Sequence, residues 1–294
     1  MADKEQAGVV VVVGGGTMGA GIAQIALQAG ATVSVSEADE GAVDAARSRI
    51  AEGLGMAHKR AEDPDAAVSA DLARLTVATD VSEVTPDLVI EALPENAAMK
   101  RRVLGPLGAR WPDAVIATNT SSLSIDGLAE GFPGPERFLG MHFFNPVPRS
   151  ALVELVVGAA TDPATTDVAR WWVSRLGKES IAVRDTPGFA TSRLGVVIGL
   201  EAIRMVAEGV ASAADIDRGM VLGYRFPMGP LELTDLVGLD VRLAIAEHLA
   251  AELDPRFEPP ALLRKMVAAG ELGKKTGRGF YDWTQGSGPV PVEP

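Results

Sequence analysis

Short runs rich in Val and Ile alternate with Ala-rich amphipathic stretches along the first part of the chain. VVVVV (9–13), TVSVS (32–36), DLVIEA (87–92), AVIATN (114–119), FLGMHFF (138–144) and LVELVVG (152–158) predict strands, and SIAVRD (180–185) predicts a last one. Helices are predicted around 17–29, 40–61, 95–110 and 164–176. Near-continuous β-branched runs separated by helices indicate a parallel sheet covered on both faces, because such strands bury both of their sides.

The pattern changes at DTPGF (185–189), after which no strand is predicted. In GFATSRLGVVIGLEAIRMVAEG, the residues Leu194, Val197, Ile198, Ala202, Met205 and Val206 recur at helical spacing. Ser212 and Asp215 resemble a capping box opening the next helix. GPLELTDLVGLDVRLAIAEHLAAEL and PPALLRKMVAAGEL add further helices, and the tail TQGSGPVPVEP is expected to fray. The predicted organisation is an α/β domain over 1–186 followed by an all-helical domain over 187–294.

Composition narrows the function. The 294 residues carry a net charge of -12, which argues against a general binder of nucleic acid or anionic membrane. A small anionic ligand needs only a local cationic site and stays open. Without any Cys, disulfides, thiolate metal sites and cysteine nucleophiles are excluded, no metal is expected, and a cytoplasmic location is favoured. The opening MADKEQAGVVVVVGGG does not read as a signal peptide, and no apolar run reaches the ~18 residues of a membrane span.

The first strand runs into GGGTMGAGIAQ, where Gly14, Gly16 and Gly19 form a G-x-G-x-x-G ahead of an apolar helix. These glycines permit a tight turn, close approach of backbone to a pyrophosphate, and close packing of helix on strand. Thr17 and Met18 sit inside the same motif, where free helix amides face phosphate oxygens. Glu37 ends the second strand at the offset of a group that holds the adenine ribose hydroxyls. The conjunction predicts a Rossmann-type dinucleotide site, and a carboxylate at 37 favours NAD over NADP.

Further polar groups fall at or beyond the later strand ends, where open α/β sheets bind ligands: Glu95, Asn119, Ser121, His142 and Asn145. Asn119 and Ser121 are counted with the cofactor-facing groups. His142 stands among apolar residues in FLGMHFFNPVP and is one of only three histidines. An imidazole there either fills the core or exchanges protons near neutral pH. Glu154 interrupts the apolar run ALVELVV, where a carboxylate is costly unless partnered, and an imidazolium forming at His142 is a suitable partner. Plainer readings stand beside this one. NTSS suits a local turn, Glu154 suits an arginine, and His142, Glu154 and Ser121 could make a hydrolase triad, although NTSSL lacks a G-x-S-x-G elbow.

Taken in order, GGGTMGAGIAQ, DLVIEALPEN, ATNTSSL, GMHFFNPVP, LVELV, DTPGF, GYRFPMGPLELTDLVGLD and GKKTGRGFYDW resemble the short-chain L-3-hydroxyacyl-CoA dehydrogenases, the bacterial 3-hydroxybutyryl-CoA dehydrogenases in particular. The resemblance runs from about Val10 to Trp283. It implies NAD as cofactor, an acyl-CoA substrate, a cleft between two domains, and a homodimer formed through the helical domain. It implies His142 as catalytic base, Glu154 as its orienter, and Ser121 as the hydroxyl on the substrate oxygen. Glu95, Lys100, Asn145 and Lys275 match positions lining the NAD site, and Lys59 with Arg60 falls where the family places a cation for CoA phosphates. A position often occupied by Ser in the CoA site is Gly53 here. After DTPGF the family has Asn before Arg, whereas ATSR puts Ser192 at that substrate-contacting position. A dehydrogenase of a non-CoA hydroxy acid or carrier-bound acyl group, and an NAD-binding protein without turnover, remain the alternatives.

Overall fold

An eight-stranded sheet carries the first half of this computed structural model, which describes residues 8–284 and 290–291. The chain divides into two compact units, Met1–Thr186 and Pro187–Pro294. In the first unit the strands are β1 (Val9–Val13), β2 (Thr32–Ser36), β3 (Leu75–Ala78), β4 (Leu88–Glu91), β5 (Val115–Thr118), β6 (Phe138–Phe143), β7 (Leu152–Val157) and β8 (Glu179–Arg184). The helices are α1 (Thr17–Gln28), α2 (Glu40–His58), α3 (Pro64–Leu72), α4 (Ala97–Arg110), α5 (Ile125–Ala129) and α6 (Pro163–Arg175).

The sheet order is β3-β2-β1-β4-β5-β6-β7-β8, so the chain leaves β1 to one side and returns to β4 on the other. That reversal beside β1 is where a doubly wound sheet opens a ligand crevice at its carboxyl ends. The sheet is not wholly parallel, as the apolar runs had suggested. β7 lies antiparallel to β6, with His142 opposite Glu154, and β8 returns parallel to β7. A buried strand reads the same in either direction, so the run of apolar residues carries no sense of orientation.

Other differences are local. β3 and α3 were not foreseen, although Asp63 caps α3 by accepting from the Ala66 amide and Pro64 occupies its first turn. The helix predicted to reach 61 ends at His58, and the one predicted from 95 starts at Ala97, because Asn96 caps it through the Met99 amide.

The main core of the first unit lies on one face of the sheet, where α1, α2 and α6 pack on β1, β2 and β4 and their neighbours, with Val10, Val12, Ile22, Leu27, Ile50, Ile90 and Trp172 essentially inaccessible. One ionic contact fastens α4 to this sheet. Glu91 ends β4 with 0% exposure, and Lys100, also 0% exposed, donates to its Oε1 at 2.7 Å and Oε2 at 3.0 Å. The Thr118 hydroxyl and the Leu93 amide complete the carboxylate's shell at 2.5 Å each.

The second unit packs α7 (Thr191–Ala207), α8 (Ala213–Tyr224), α9 (Pro230–Val237), α10 (Leu239–Glu252) and α11 (Ala261–Ala268) around Leu200, Ile203, Leu231, Leu249 and Phe257. Ser212 caps α8 through the Asp215 amide, as its spacing predicts. Two buried carboxylates explain the motifs GPLELTD and GRGFYDW. Asp217 accepts from the Leu231 and Glu232 amides at 2.8 Å each and from the Tyr281 hydroxyl at 2.7 Å, capping α9 from α8. Asp235 accepts from the Phe280 and Tyr281 amides and from Trp283 Nε1 at 2.9–3.0 Å. Burial pushes the Asp235 carboxyl above its ordinary value, and the three donors only partly offset it. The unit is helical as expected, with one short addition: β9 (Tyr281–Asp282) pairs antiparallel with β10 (Val290–Pro291). β10 falls inside the tail expected to fray; residues 285–289 and 292–294 of that tail lie outside the described residues.

The Glu91–Lys100 contact yields a stability prediction. Lys100→Met leaves a buried carboxylate without its counter-charge and should cost about 3–5 kcal/mol in denaturant unfolding. Adding Glu91→Leu should recover a large part of that loss. A Lys100→Met protein as stable as the parent would show that the contact does not hold α4 in place.

Candidate active site

The turn after β1 is built for a dinucleotide. Gly14 takes φ +93°, which a side chain would strain, and a Cβ on Gly19 would lie 1.8 Å from the Gly14 carbonyl oxygen. At Gly16, the N-cap of α1, a Cβ would meet nothing within 4 Å. The turn therefore shows bare backbone to open space at the start of a helix, which fits a pyrophosphate. Thr17 begins α1, and Met18 packs partly buried against the core behind it. Glu37 follows β2 and accepts from the Gly15 amide at 2.6 Å, which ties the acid to the turn. Arg49 of α2 donates to the Gly15 carbonyl at 3.3 Å from the other side.

Glu95 organises the next loop. Its Oε1 accepts from the Thr120 hydroxyl at 2.6 Å, the Ser121 and Ser122 amides at 2.9 and 3.0 Å, and the Ser122 hydroxyl at 3.0 Å. The Ser121 hydroxyl approaches the same oxygen at 3.3 Å, and the Lys100 ammonium stands 3.5 Å from Oε2. Burial pushes the Glu95 carboxyl up, but Thr120, Lys100 and the serines more than offset it, so it lies below its ordinary 4.5. Linkage then fixes a sign. A depressed folded value contributes stability above the unfolded pKa, and that contribution is lost as pH falls through the folded one. Lys100 is itself inaccessible and spends its donors on Glu91 and Leu93, so it meets the site through Glu95.

On β6, His142 is buried with its Nδ1 2.8 Å from Glu154 Oε2, and Glu154 has 0% exposure. The two residues face each other across antiparallel strands, where opposed side chains share one side of the sheet. Phe144 packs against the imidazole with ring centroids 4.5 Å apart. The Asn119 side-chain oxygen accepts from the Phe143 amide at 2.9 Å, tying the loop after β5 to the strand that carries His142. The chain then turns at Asn145, exposed at the same sheet end. A carboxylate on Nδ1 fixes the ring's tautomer and supports an imidazolium, leaving proton exchange to Nε2.

The other candidates belong to other elements. Lys59 and Arg60 are exposed just beyond α2. In the second unit, Ser192 is half-buried in the first turn of α7. Lys275 there donates to both Asp240 oxygens at 2.5 and 2.6 Å and holds that carboxyl below its ordinary value. Sequence reasoning passed over Glu91, Thr118 and Thr120, each 0% exposed. Glu91 offered the same signal as Glu154, a carboxylate inside an apolar run.

Residues 9–186 match the model of the 3-hydroxyacyl-CoA dehydrogenase NAD binding domain, and residues 188–283 match that of the 3-hydroxyacyl-CoA dehydrogenase C-terminal domain. A 3-hydroxybutyryl-CoA dehydrogenase of Mycobacterium tuberculosis is 43% identical over 279 residues, 93% of this chain and 98% of that protein. The mitochondrial hydroxyacyl-coenzyme A dehydrogenase of Sus scrofa is 40% identical over 93% of this chain and 90% of its own length. The crystal structure of (S)-3-hydroxybutyryl-CoA dehydrogenase from Ralstonia eutropha superposes with a TM-score of 0.90 at 40% identity, covering 95% of this chain and 100% of that one. With both domain models matched in order over nearly the whole length, the chain belongs to the 3-hydroxyacyl-CoA dehydrogenase family.

Proposed function

We propose that the protein is an NAD-dependent dehydrogenase interconverting 3-hydroxyacyl-CoA and 3-oxoacyl-CoA, with a short acyl group such as 3-hydroxybutyryl. The observation that carries this reading is the His142–Glu154 contact at 2.8 Å, on the same sheet as the glycine turn and Glu37. Bound NAD supplies the hydride acceptor for the C3 hydrogen. His142 Nε2 takes the proton from the 3-hydroxyl as the carbonyl forms, and in the reverse direction it returns that proton. Glu154 stabilises the imidazolium through Nδ1, and the Ser121 hydroxyl donates to the substrate oxygen from a loop that Glu95 holds. Positioned acid–base help of this kind is worth roughly 10²–10⁴ in rate.

Gly14, Gly16, Thr17, Met18 and Glu37 would hold the dinucleotide, with Glu95, Asn119, Asn145 and Lys275 lining its nicotinamide end and Lys100 supporting Glu95. Ser192 would donate to the thioester carbonyl in place of the family's Asn, and Lys59 and Arg60 would serve the CoA phosphates. Leu222, Tyr224, Leu233, Leu236, Val237 and Val241 are large apolar residues exposed by 39–75% on the adjoining helices α8, α9 and α10. An apolar surface of this kind supports a homodimer through the second unit. Among the described residues no helix is long and apolar enough to cross a membrane. A chain without Cys suits a reducing compartment, so the reading includes a cytoplasmic enzyme.

Two measurements test this reading. Acetoacetyl-CoA should be reduced by NADH at least tenfold better than by NADPH in kcat/KM, because Glu37, anchored on the Gly15 amide, opposes a 2′-phosphate. Glu37→Ala should narrow that ratio. Turnover of free acetoacetate but not of the thioester would favour the hydroxy-acid alternative, and no turnover of either would favour a silent binding protein. In the second test, His142→Ala and Glu154→Ala should each lower kcat by roughly 10² or more, with the double variant far from multiplicative. A Glu154→Gln enzyme with unchanged kcat would remove Glu154 from the mechanism.

A further inference from the structure

A cavity of about 700 Å³ opens in the first unit between α1, α2 and the turn after His142. Its walls include Thr17, Gln24, Arg49, Glu52, Asn145 and Arg149. Thr17 follows the glycine turn and Asn145 lies three residues beyond His142, so the cavity adjoins the proposed cofactor turn and the loop that leaves the His142 strand.

The turn that presents Arg149 is held rigidly. The Arg149 and Ser150 amides both donate to the Pro146 carbonyl at 3.0 Å. From below, the buried Lys178 donates to the Val147 and Ser150 carbonyls at 2.7 and 2.5 Å. α1 meets the turn at Gly21, where a Cβ would lie 2.9 Å from Val147 Cβ. Arg149 is thus an exposed guanidinium on a fixed support, and no partner carboxylate lies within salt-bridge reach of it among the described residues.

Charge sets this wall apart from the acidic balance of the whole chain. The chain as a whole carries -12, yet the cavity sets Arg49 and Arg149 against a single carboxylate, Glu52. One end of Arg49 is already engaged by the Gly15 carbonyl at 3.3 Å, which leaves Arg149 as the cation most available to a ligand. Gly53 offers no hydroxyl on the α2 side. A Cβ there would fall 2.3 Å from Gln24 Oε1, while Gln24 Nε2 donates to the Gly53 carbonyl at 3.1 Å. An anion entering this cavity therefore meets its strongest donor on the wall formed by the Asn145–Arg149 turn. A planar guanidinium with paired N–H groups matches phosphate oxygens.

We propose that Arg149 is a specificity-determining residue that binds a phosphate of the substrate's nucleotide handle, so that the enzyme reads CoA as well as the acyl group. The proposal rests on the acyl-CoA reading above and adds to it a cation carried by the turn after the His142 strand, whereas Lys59 and Arg60 follow α2. A substrate whose thioester lies at His142 passes its pantetheine arm along the cavity and brings its phosphates to Arg149.

The test compares acetoacetyl-CoA with acetoacetyl-dephospho-CoA, which lacks the 3′-phosphate, and with the N-acetylcysteamine thioester, which lacks every phosphate. For Arg149→Ala, the ratio of kcat/KM for acetoacetyl-CoA to that for the cysteamine thioester should fall 3- to 10-fold, through KM. Arg149→Lys should recover part of it, and the parent's ratio should shrink as salt rises, since an exposed charge is screened. Loss of discrimination between CoA and dephospho-CoA assigns the 3′-phosphate, and retention of it assigns the pyrophosphate. An unchanged ratio in Arg149→Ala overturns the proposal, as does a rise in KM for NADH alone, which would give Arg149 to the cofactor. Thermal melting of both variants separates binding from folding. If the parent turns over none of the three thioesters, it is the acyl-CoA reading itself that fails.

Discussion

The site depends on the direction of one strand. β7 runs antiparallel to β6, and that register sets Glu154 directly across from His142 on one side of the sheet. A parallel β7 would pair by slanted, evenly spaced hydrogen bonds and would need a long crossover. The antiparallel reversal brings two residues twelve positions apart to 2.8 Å, in a buried setting. A buried carboxylate is expensive unless a donor meets it, so Glu154 and the Nδ1–H of His142 satisfy each other. What stabilises the strand pair is the same contact that orients the imidazole.

The neighbouring strand ends extend this economy. Glu91 and Lys100, both inaccessible, fix the start of α4 on β4, and Lys100 also stands 3.5 Å from Glu95. Glu95 in turn gathers the Thr120, Ser121 and Ser122 donors on one oxygen. A chain of charge-assisted hydrogen bonds thus runs from the sheet interior to the hydroxyl proposed to touch substrate. Asn119 ties that loop to β6 through the Phe143 amide, so the Ser121 loop and the His142 strand share one support.

Much of the first unit was legible because buried strands advertise themselves as Val- and Ile-rich runs and because the glycine turn has few alternative uses. β3 escaped because LTVA is short and flanked by Arg74 and Thr79 rather than by turn signals. Strand direction escaped because burial on both faces erases the difference between parallel and antiparallel neighbours. His142 and Glu154 stood out as polar residues in apolar runs, yet only the register shows that they meet. Lys100 was placed at the cofactor by resemblance, and its burial against Glu91 could not be read from a helix whose neighbouring Arg101 and Arg102 are exposed. In the second unit, the two-residue strands β9 and β10 lie below any periodicity, whereas Asp217 and Asp235 account for motifs that resemblance only lists.

The 2.8 Å contact requires that Glu154 fix the tautomer of His142. Nitrogen-15 NMR of the imidazole rings tests it directly, because the chain has only His58, His142 and His248, and the His142→Ala variant assigns the signals. At a pH where the ring is neutral, His142 should carry its proton on Nδ1, with Nε2 bare, and Glu154→Gln should blur that preference. A neutral His142 protonated on Nε2 in the parent protein would show that Glu154 does not set the tautomer.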